Sequence, residues 1–193
     1  MALEISKPHT ALLVMDFEND IVHPDGAFKD FGFAQMVADN DVLGKTSQLL
    51  AAARGAGVTV IHVSVKFREG YPERAANSGL WQGLHGLNAL VEGTWGAQIH
   101  DQLTPEKGEA LVTKRGVSAF TASDIEQILH NKRIGTLLLA GVATNFVVKG
   151  KPCASIMRPW LRYYSRWRLL RFDEPGGARC LFKYSTSLSL HGK

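Results

Sequence analysis

Two ionisable side chains directly follow apolar, strand-like runs and could form a reactive pair. Asp16 ends the run 11–15, and Lys114 ends the run 110–113. A buried acid at a strand end is costly unless a cation or a hydrogen-bond donor pairs with it, and Lys114 could be that partner. Together they could transfer protons and stabilise developing negative charge. Spacing alone leaves open the alternative that both are solvated loop residues.

Strand and helix signals alternate along the chain and would position this pair. Strands are predicted at residues 11–15, 58–65, 110–113 and 136–140, and helical structure at 33–54 and 125–130. The alternation predicts the α/β fold class, a three-layer sandwich with a mainly parallel sheet. Ligands of such sheets bind outside the carboxyl ends of the strands. We therefore expect Asp16, Lys114 and the turn after the fourth strand to meet at one edge.

The composition predicts one ordinary domain followed by a basic tail. Of 193 residues, 45% are apolar and 21% charged, and no apolar run reaches the roughly 18 residues of a membrane helix. No export leader is evident, so a cytoplasmic location is expected. Residues 149–193 carry a net charge of +8 and residues 1–148 a net charge of −4. We divide the chain into an α/β domain, 1–148, and a divergent basic tail, 149–193.

Four parts of the chain resemble, in order, the isochorismatase-like hydrolases, the family of nicotinamidases, N-carbamoylsarcosine amidases and isochorismatases. The matching segments are ALLVMDFEND (11–20) with HPDG (23–26), FREGYPE (67–73), TKRGVSAF (113–120) and AGVATNFVV (140–148). The resemblance implies a Rossmann-like sandwich, usually oligomeric. It also implies a site that joins an Asp after the first strand, a Lys after the third and a Cys after the fourth. Asp16 and Lys114 match the first two.

The position at which the amidase branch of that family has its cysteine nucleophile holds Val147. A valine cannot attack a carbonyl, so acyl transfer to a thiolate is not expected. Cys153 lies six residues further on, on another face of a helix, and is no substitute. By resemblance, the turn containing Val142, Ala143, Thr144 and Val147 would bind substrate or an oxyanion. A cis peptide between Val142 and Ala143 would orient its N–H groups.

The resemblance leaves two functions open. Isochorismatases hydrolyse a vinyl ether without a thiol; by analogy Asp16 would protonate the double bond, Lys114 would hold its position and charge, and water would add. Amides are the other substrate class. The alternative is an inactive relative that keeps the pair as a structural salt bridge and acts as an oligomeric binding or structural protein. Phe17, His23 and Tyr71 are the candidate pocket residues.

Neither a cofactor nor a metal is expected. Zinc-bearing members of the family present Asp-x-His after the second strand, whereas His62 is followed by Val63 and Ser64. The expected partners are a small-molecule substrate and further copies of the chain. Arg, Trp and Tyr alternate in the tail, but no folded module frames them, so nucleic acid and membrane are not expected partners.

After Val148 the family pattern stops. Prolines and arginines crowd the segment where a crossover helix should run. The codons of residues 160–164, read one nucleotide later, can spell Gly-Tyr-Asp-Thr-Thr, which the family would place there. We therefore hypothesise that residues from about 149 onward are a frameshifted translation, which DNA sequencing would test. The C-terminal strands are then expected to be missing or altered, leaving the fourth strand at an open edge.

Overall fold

A computed structural model describes residues 6–73, 79–142 and 162–164. Its strands are β1 (Thr10–Met15), β2 (Thr59–Val65), β3 (Ala110–Lys114), β4 (Thr136–Gly141) and β5 (Arg162–Tyr164). Its α-helices are α1 (Asn19–Val22), α2 (Phe33–Asp39), α3 (Val42–Gly55), α4 (Gly79–Gly86) and α5 (Ile125–Asn131), and short 3-10 turns lie at Lys7–His9, Lys29–Phe31 and Asp101–Leu103. In these ranges no helix is long and apolar enough to cross a membrane.

The five strands form one parallel sheet in the order β3-β2-β1-β4-β5. The central strand β1 is buried at all six residues, because helices cover both faces of the sheet. Leu12 packs in a core cluster with Leu50 of α3, whereas Leu13 faces the other way into a cluster with Leu129 of α5. The predicted three-layer α/β sandwich with a parallel sheet is confirmed.

The helical segment predicted over 33–54 is two helices rather than one. Between them Asp41 adopts a left-handed conformation with φ of 48°. The Asn40 side chain donates 2.8 Å to the carbonyl of Met36, and the Lys45 ammonium caps the Asn40 carbonyl. Asn readily replaces backbone hydrogen bonds with its own side chain, so the helix ends here although the apolar spacing continues.

The expectation of an open edge on β4 is wrong for half of that strand. β5 pairs in parallel with Thr136, Leu137 and Leu138; among the residues that the structure describes, the rest of β4 pairs with β1 alone. A three-residue segment of the tail can make this contact because parallel pairing depends on backbone groups rather than on side-chain identity. The frameshift hypothesis otherwise concerns residues outside the described ranges.

The segment between β2 and β3 returns to the carboxyl end of the sheet. Phe67 forms a parallel bridge with Val91, and Glu18 forms an antiparallel bridge with Ile99. Backbone hydrogen bonds from the 96–100 stretch to residues 17–20 continue this contact. The segment therefore packs against the residues that directly follow β1.

Candidate active site

Asp16 and Lys114 meet at the carboxyl end of the sheet. The Lys114 ammonium lies 2.8 Å from Oδ2 of Asp16, and both residues are buried, with 2% and 6% of their surface exposed. Asp16 turns away from the strand with φ of 60°, and its amide donates to Val63 of β2. Lys114 reaches across β2 from β3 and also donates 2.8 Å to the carbonyl of Val117. The strand order thus brings together two groups that are 98 residues apart.

The second carboxylate oxygen of Asp16 is available for further chemistry. Oδ1 is buried and has no hydrogen-bond partner among the described residues. Burial raises the pKa of Asp16, and the charge and hydrogen bond of Lys114 partly oppose that rise. A buried carboxyl with a raised pKa is suited to taking up and releasing a proton.

Glu18 is a third ionisable group at this site, and the sequence reasoning missed it. Its side chain is fully buried; Oε1 accepts a 2.5 Å hydrogen bond from the Val65 amide, while Oε2 has no partner within the described ranges. Burial and the nearby charge of Asp16 raise the pKa of Glu18 to about 8, against the opposing effects of Lys114 and backbone hydrogen bonds. The sequence feature that could have revealed Glu18 is its position, since it is a second acid two residues after Asp16.

The turn after β4 begins beside Asp16. Val142 is buried, and its amide donates 3.3 Å to the carbonyl of Met15, the residue before Asp16. The remaining candidate turn residues, Ala143, Thr144 and Val147, lie outside the described residues, as do the expected cis peptide and Cys153. Their binding role stays a prediction.

The three pocket candidates have different surroundings. Phe17 is 2% exposed and belongs to the hydrophobic core. The ring of His23 lies edge-on to Trp95, with 4.9 Å between the ring centroids. Tyr71 is also buried, and its hydroxyl donates 2.6 Å to the carbonyl of Ala89. Substrate contact by all three stays a prediction.

Asp20 joins the loop that contains Ala27 to the loop that contains Leu90. Its Oδ1 accepts from the amide of Ala27 at 3.1 Å, and its Oδ2 accepts from the amide of Leu90 at 2.7 Å. One carboxylate therefore holds two loops that are remote in the chain. A groove of about 420 Å³ lies nearby, lined by α2 residues, His100 and Gln102, but neither Asp16 nor Lys114 lines it.

His62 belongs to a separate ion-pair cluster. Its Nε2 lies 3.0 Å from Oε2 of Glu109, and Arg54 donates from two nitrogens to the same carboxylate at 2.8 Å each. Within the described part of the chain, no group of three His, Cys, Asp or Glu side chains is placed to hold a metal ion. His62 is therefore paired with the carboxylate of Glu109, which Arg54 of α3 also binds.

Sequence comparison and structure comparison with known proteins both point to one family. The isochorismatase domain model matches residues 10–155. The ureidoacrylate amidohydrolase RutB of Stutzerimonas stutzeri is 31% identical over 159 residues, which is 76% of this chain and 64% of that protein. RutB of Azorhizobium caulinodans is 29% identical, covering 76% of this chain and 70% of its own length. The chain thus spans about two-thirds of these relatives.

Solved structures share the fold at lower identity. A cysteine hydrolase from Pseudomonas syringae pv. phaseolicola superposes with a TM-score of 0.71 at 22% identity, covering 82% of this chain and 70% of the other. The N-carbamoylsarcosine amidase from Thermoplasma acidophilum gives a TM-score of 0.61 at 20% identity, with 80% and 79% covered. With the domain match over residues 10–155, these likenesses lead to one conclusion: the chain belongs to the isochorismatase family of hydrolase-like α/β proteins.

Proposed function

We propose that this chain hydrolyses a small molecule of the vinyl ether or amide class, with Asp16 and Lys114 as its reacting pair and water as its nucleophile. The observation that carries the proposal is the 2.8 Å contact between the Lys114 ammonium and Asp16, buried at the ligand-binding end of a parallel sheet. Oδ1 of Asp16 supports it, because among the described residues this buried oxygen has no hydrogen-bond partner, which a purely structural ion pair would not require.

With a vinyl ether, Asp16, which the contact with Lys114 favours as a carboxylate at rest, must first take up a proton, and it then transfers this proton to the terminal carbon of the double bond. The positive charge that forms is delocalised onto the ether oxygen as an oxocarbenium ion. Water adds to the ether-bearing carbon of that ion and returns a proton to Asp16, and the hemiketal then releases the alcohol. The raised pKa of Asp16 supports the first step, and Lys114 holds the carboxylate between steps.

With an amide or ureido substrate, Asp16 instead takes a proton from water as the water attacks the carbonyl carbon. Lys114 is then the nearest positive charge to stabilise the oxyanion, and the departing amine takes up the proton. The sequence likeness to ureidoacrylate amidohydrolases supports this class. Val147 stands where the amidase branch has its cysteine, so this route requires direct attack by water.

Val147 also favours a second candidate, an inactive relative that uses the same fold as an oligomeric binding or structural protein. In that case Asp16 and Lys114 are a structural ion pair. The division into an α/β domain, 1–148, and a basic tail, 149–193, stays a prediction under either function. Self-association through the tail would be the simplest use of its aromatic and basic residues.

The test measures turnover of isochorismate, ureidoacrylate and a set of small amides by the full chain and by Asp16→Asn and Lys114→Met. Asp30→Asn and Lys107→Met change exposed residues of the same types and serve as controls. We expect a loss of at least about 100-fold in kcat for each site variant and unchanged rates for the controls. No turnover of any substrate by the parent chain would contradict hydrolysis and favour the inactive relative. Equal rates in parent and Asp16→Asn would contradict the role of Asp16.

A further inference from the structure

The buried ionisable groups at the carboxyl end of β1 include more acids than bases. Asp16 and Glu18 supply two carboxyls, and Lys114 supplies one ammonium. All three are at most 6% exposed. If both acids were ionised, the buried site would keep an uncompensated negative charge, which is far more costly than a neutral carboxyl.

The contacts decide which acid is neutral. Lys114 donates directly to Asp16, and this contact favours the ionised form of that carboxyl. Oε1 of Glu18 accepts from the amide of Val65, whereas its Oε2 has no hydrogen-bond partner in the described part of the chain. An unpartnered buried oxygen is less costly as part of a neutral O–H than as part of a carboxylate.

We propose that Glu18 holds a proton at neutral pH and is the positioning residue that keeps the Asp16–Lys114 site electrically neutral. The charged groups that act on it are Asp16 at the end of β1 and Lys114 at the end of β3. From the other elements packed against it, β2 presents the Val65 amide, and the 96–100 stretch pairs with its backbone through Ile99. The raised pKa of Glu18 agrees with this arrangement.

A neutral Glu18 also affects which substrates the site can accept, an inference that rests on the proposed function. A site with two ionised acids and one lysine would repel an anionic substrate. With Glu18 neutral, the site carries no net charge and can accept a small molecule bearing a carboxylate. A proton on Oε2, which has no partner among the described residues, also provides a donor that such a molecule, or a water beside it, can use.

The direct test is the infrared C=O band of a protonated carboxyl, measured on the full chain at pH 7 and then at rising pH. We expect a band that disappears as the pH passes about 8. It should be absent in Glu18→Gln and present in Glu69→Gln, which changes an exposed glutamate. No such band in the parent chain, or a band that persists in Glu18→Gln and is lost in Asp16→Asn, would overturn the proposal.

A second measurement uses the pH dependence of folding stability instead of a spectroscopic band. Because the folded pKa of Glu18 lies above its unfolded value of 4.5, the folded state binds the extra proton between these pH values. The stabilisation is complete below about pH 4.5 and is lost as the pH rises to about 8. We expect the unfolding midpoint of Glu18→Gln to lack this part of the pH dependence, while Glu69→Gln keeps it. Parallel curves for parent and Glu18→Gln would overturn the proposal whether or not the protein hydrolyses any substrate.

Discussion

The ammonium of Lys114 donates to both Oδ2 of Asp16 and the carbonyl of Val117, each at 2.8 Å. It therefore joins the end of β1 to the loop that follows β3, across the intervening strand β2. This arrangement makes the pair part of the fold as well as of the proposed chemistry. Stability measurements can therefore test the contact independently of any substrate.

The first prediction concerns removal of one partner from this pair. Asp16→Asn or Lys114→Met alone leaves a buried group without its partner, and we expect a loss of about 3 to 5 kcal/mol of unfolding free energy for each. The double variant Asp16→Asn/Lys114→Met should lose less than the sum, because no buried charge remains unpaired. Urea unfolding of the four proteins measures this, and additive losses would mean that the two side chains do not interact in solution.

A second prediction concerns Asp20 as the tie between the 20–27 and 88–98 loops. In Asp20→Asn, one acceptor oxygen becomes an NH2 group that faces a backbone N–H, so one amide of Ala27 or Leu90 loses its acceptor. We expect a loss of about 1 to 3 kcal/mol in urea unfolding. Asp30→Asn, at an exposed position, should stay within about 0.5 kcal/mol of the parent. Equal stability of both variants would show that the tie is not needed.

The third prediction concerns the close approach of Gly96 to Asp20. A Cβ on Gly96 would overlap the Asp20 carboxylate, which two amides hold in place. Gly96→Ala should therefore lower the thermal stability, at a cost of about 1 to 3 kcal/mol. Gly55→Ala, at the end of α3 with open space around its Cβ, should raise stability by up to about 1 kcal/mol. An unchanged melting temperature in Gly96→Ala would show that the loops can separate freely.

Acid should weaken the Arg54–Glu109–His62 cluster. Although burial opposes it, hydrogen bonds from Arg54, the Glu106 amide and His62 hold the pKa of Glu109 at about 2. The folded pKa lies below the unfolded value of 4.5, so this stabilisation is complete above about pH 4.5 and is lost as the pH falls towards 2. The pKa of His62 is lowered by burial, against the effect of Glu109, so protonation of His62 also destabilises the folded state below about pH 6.5.

The measurement for this fourth prediction is the unfolding free energy of the parent chain and of Glu109→Gln from pH 7 to pH 3. The difference between them should shrink as the pH falls below 4.5, since the variant has no carboxylate to protonate. Glu69→Gln, at an exposed position, should follow the parent curve. A difference that stays constant over this range would show that Glu109 does not gain its stability from ionisation.

Local pattern was sufficient to predict the fold class and the first four strands. Apolar runs of strand length are a short-range property, and their alternation with helical spacing predicts a parallel sheet. The same reasoning missed the helix break at Asp41, because a left-handed residue and a side-chain hydrogen bond ended the helix inside a continuing apolar pattern. It also missed β5, whose pairing depends on backbone contacts that its basic, aromatic sequence does not indicate.

The sequence by itself determined that Asp16 and Lys114 each stand at the end of a strand, since that requires only the neighbouring residues. The tertiary structure alone decided that they touch, that Glu18 shares their buried space, and that His62 meets Glu109. The physical reason is that such contacts depend on the lateral order of strands and on how loops fold back over them. Hydrophobic periodicity specifies which face of an element is buried but carries no information about which distant element will lie beside it.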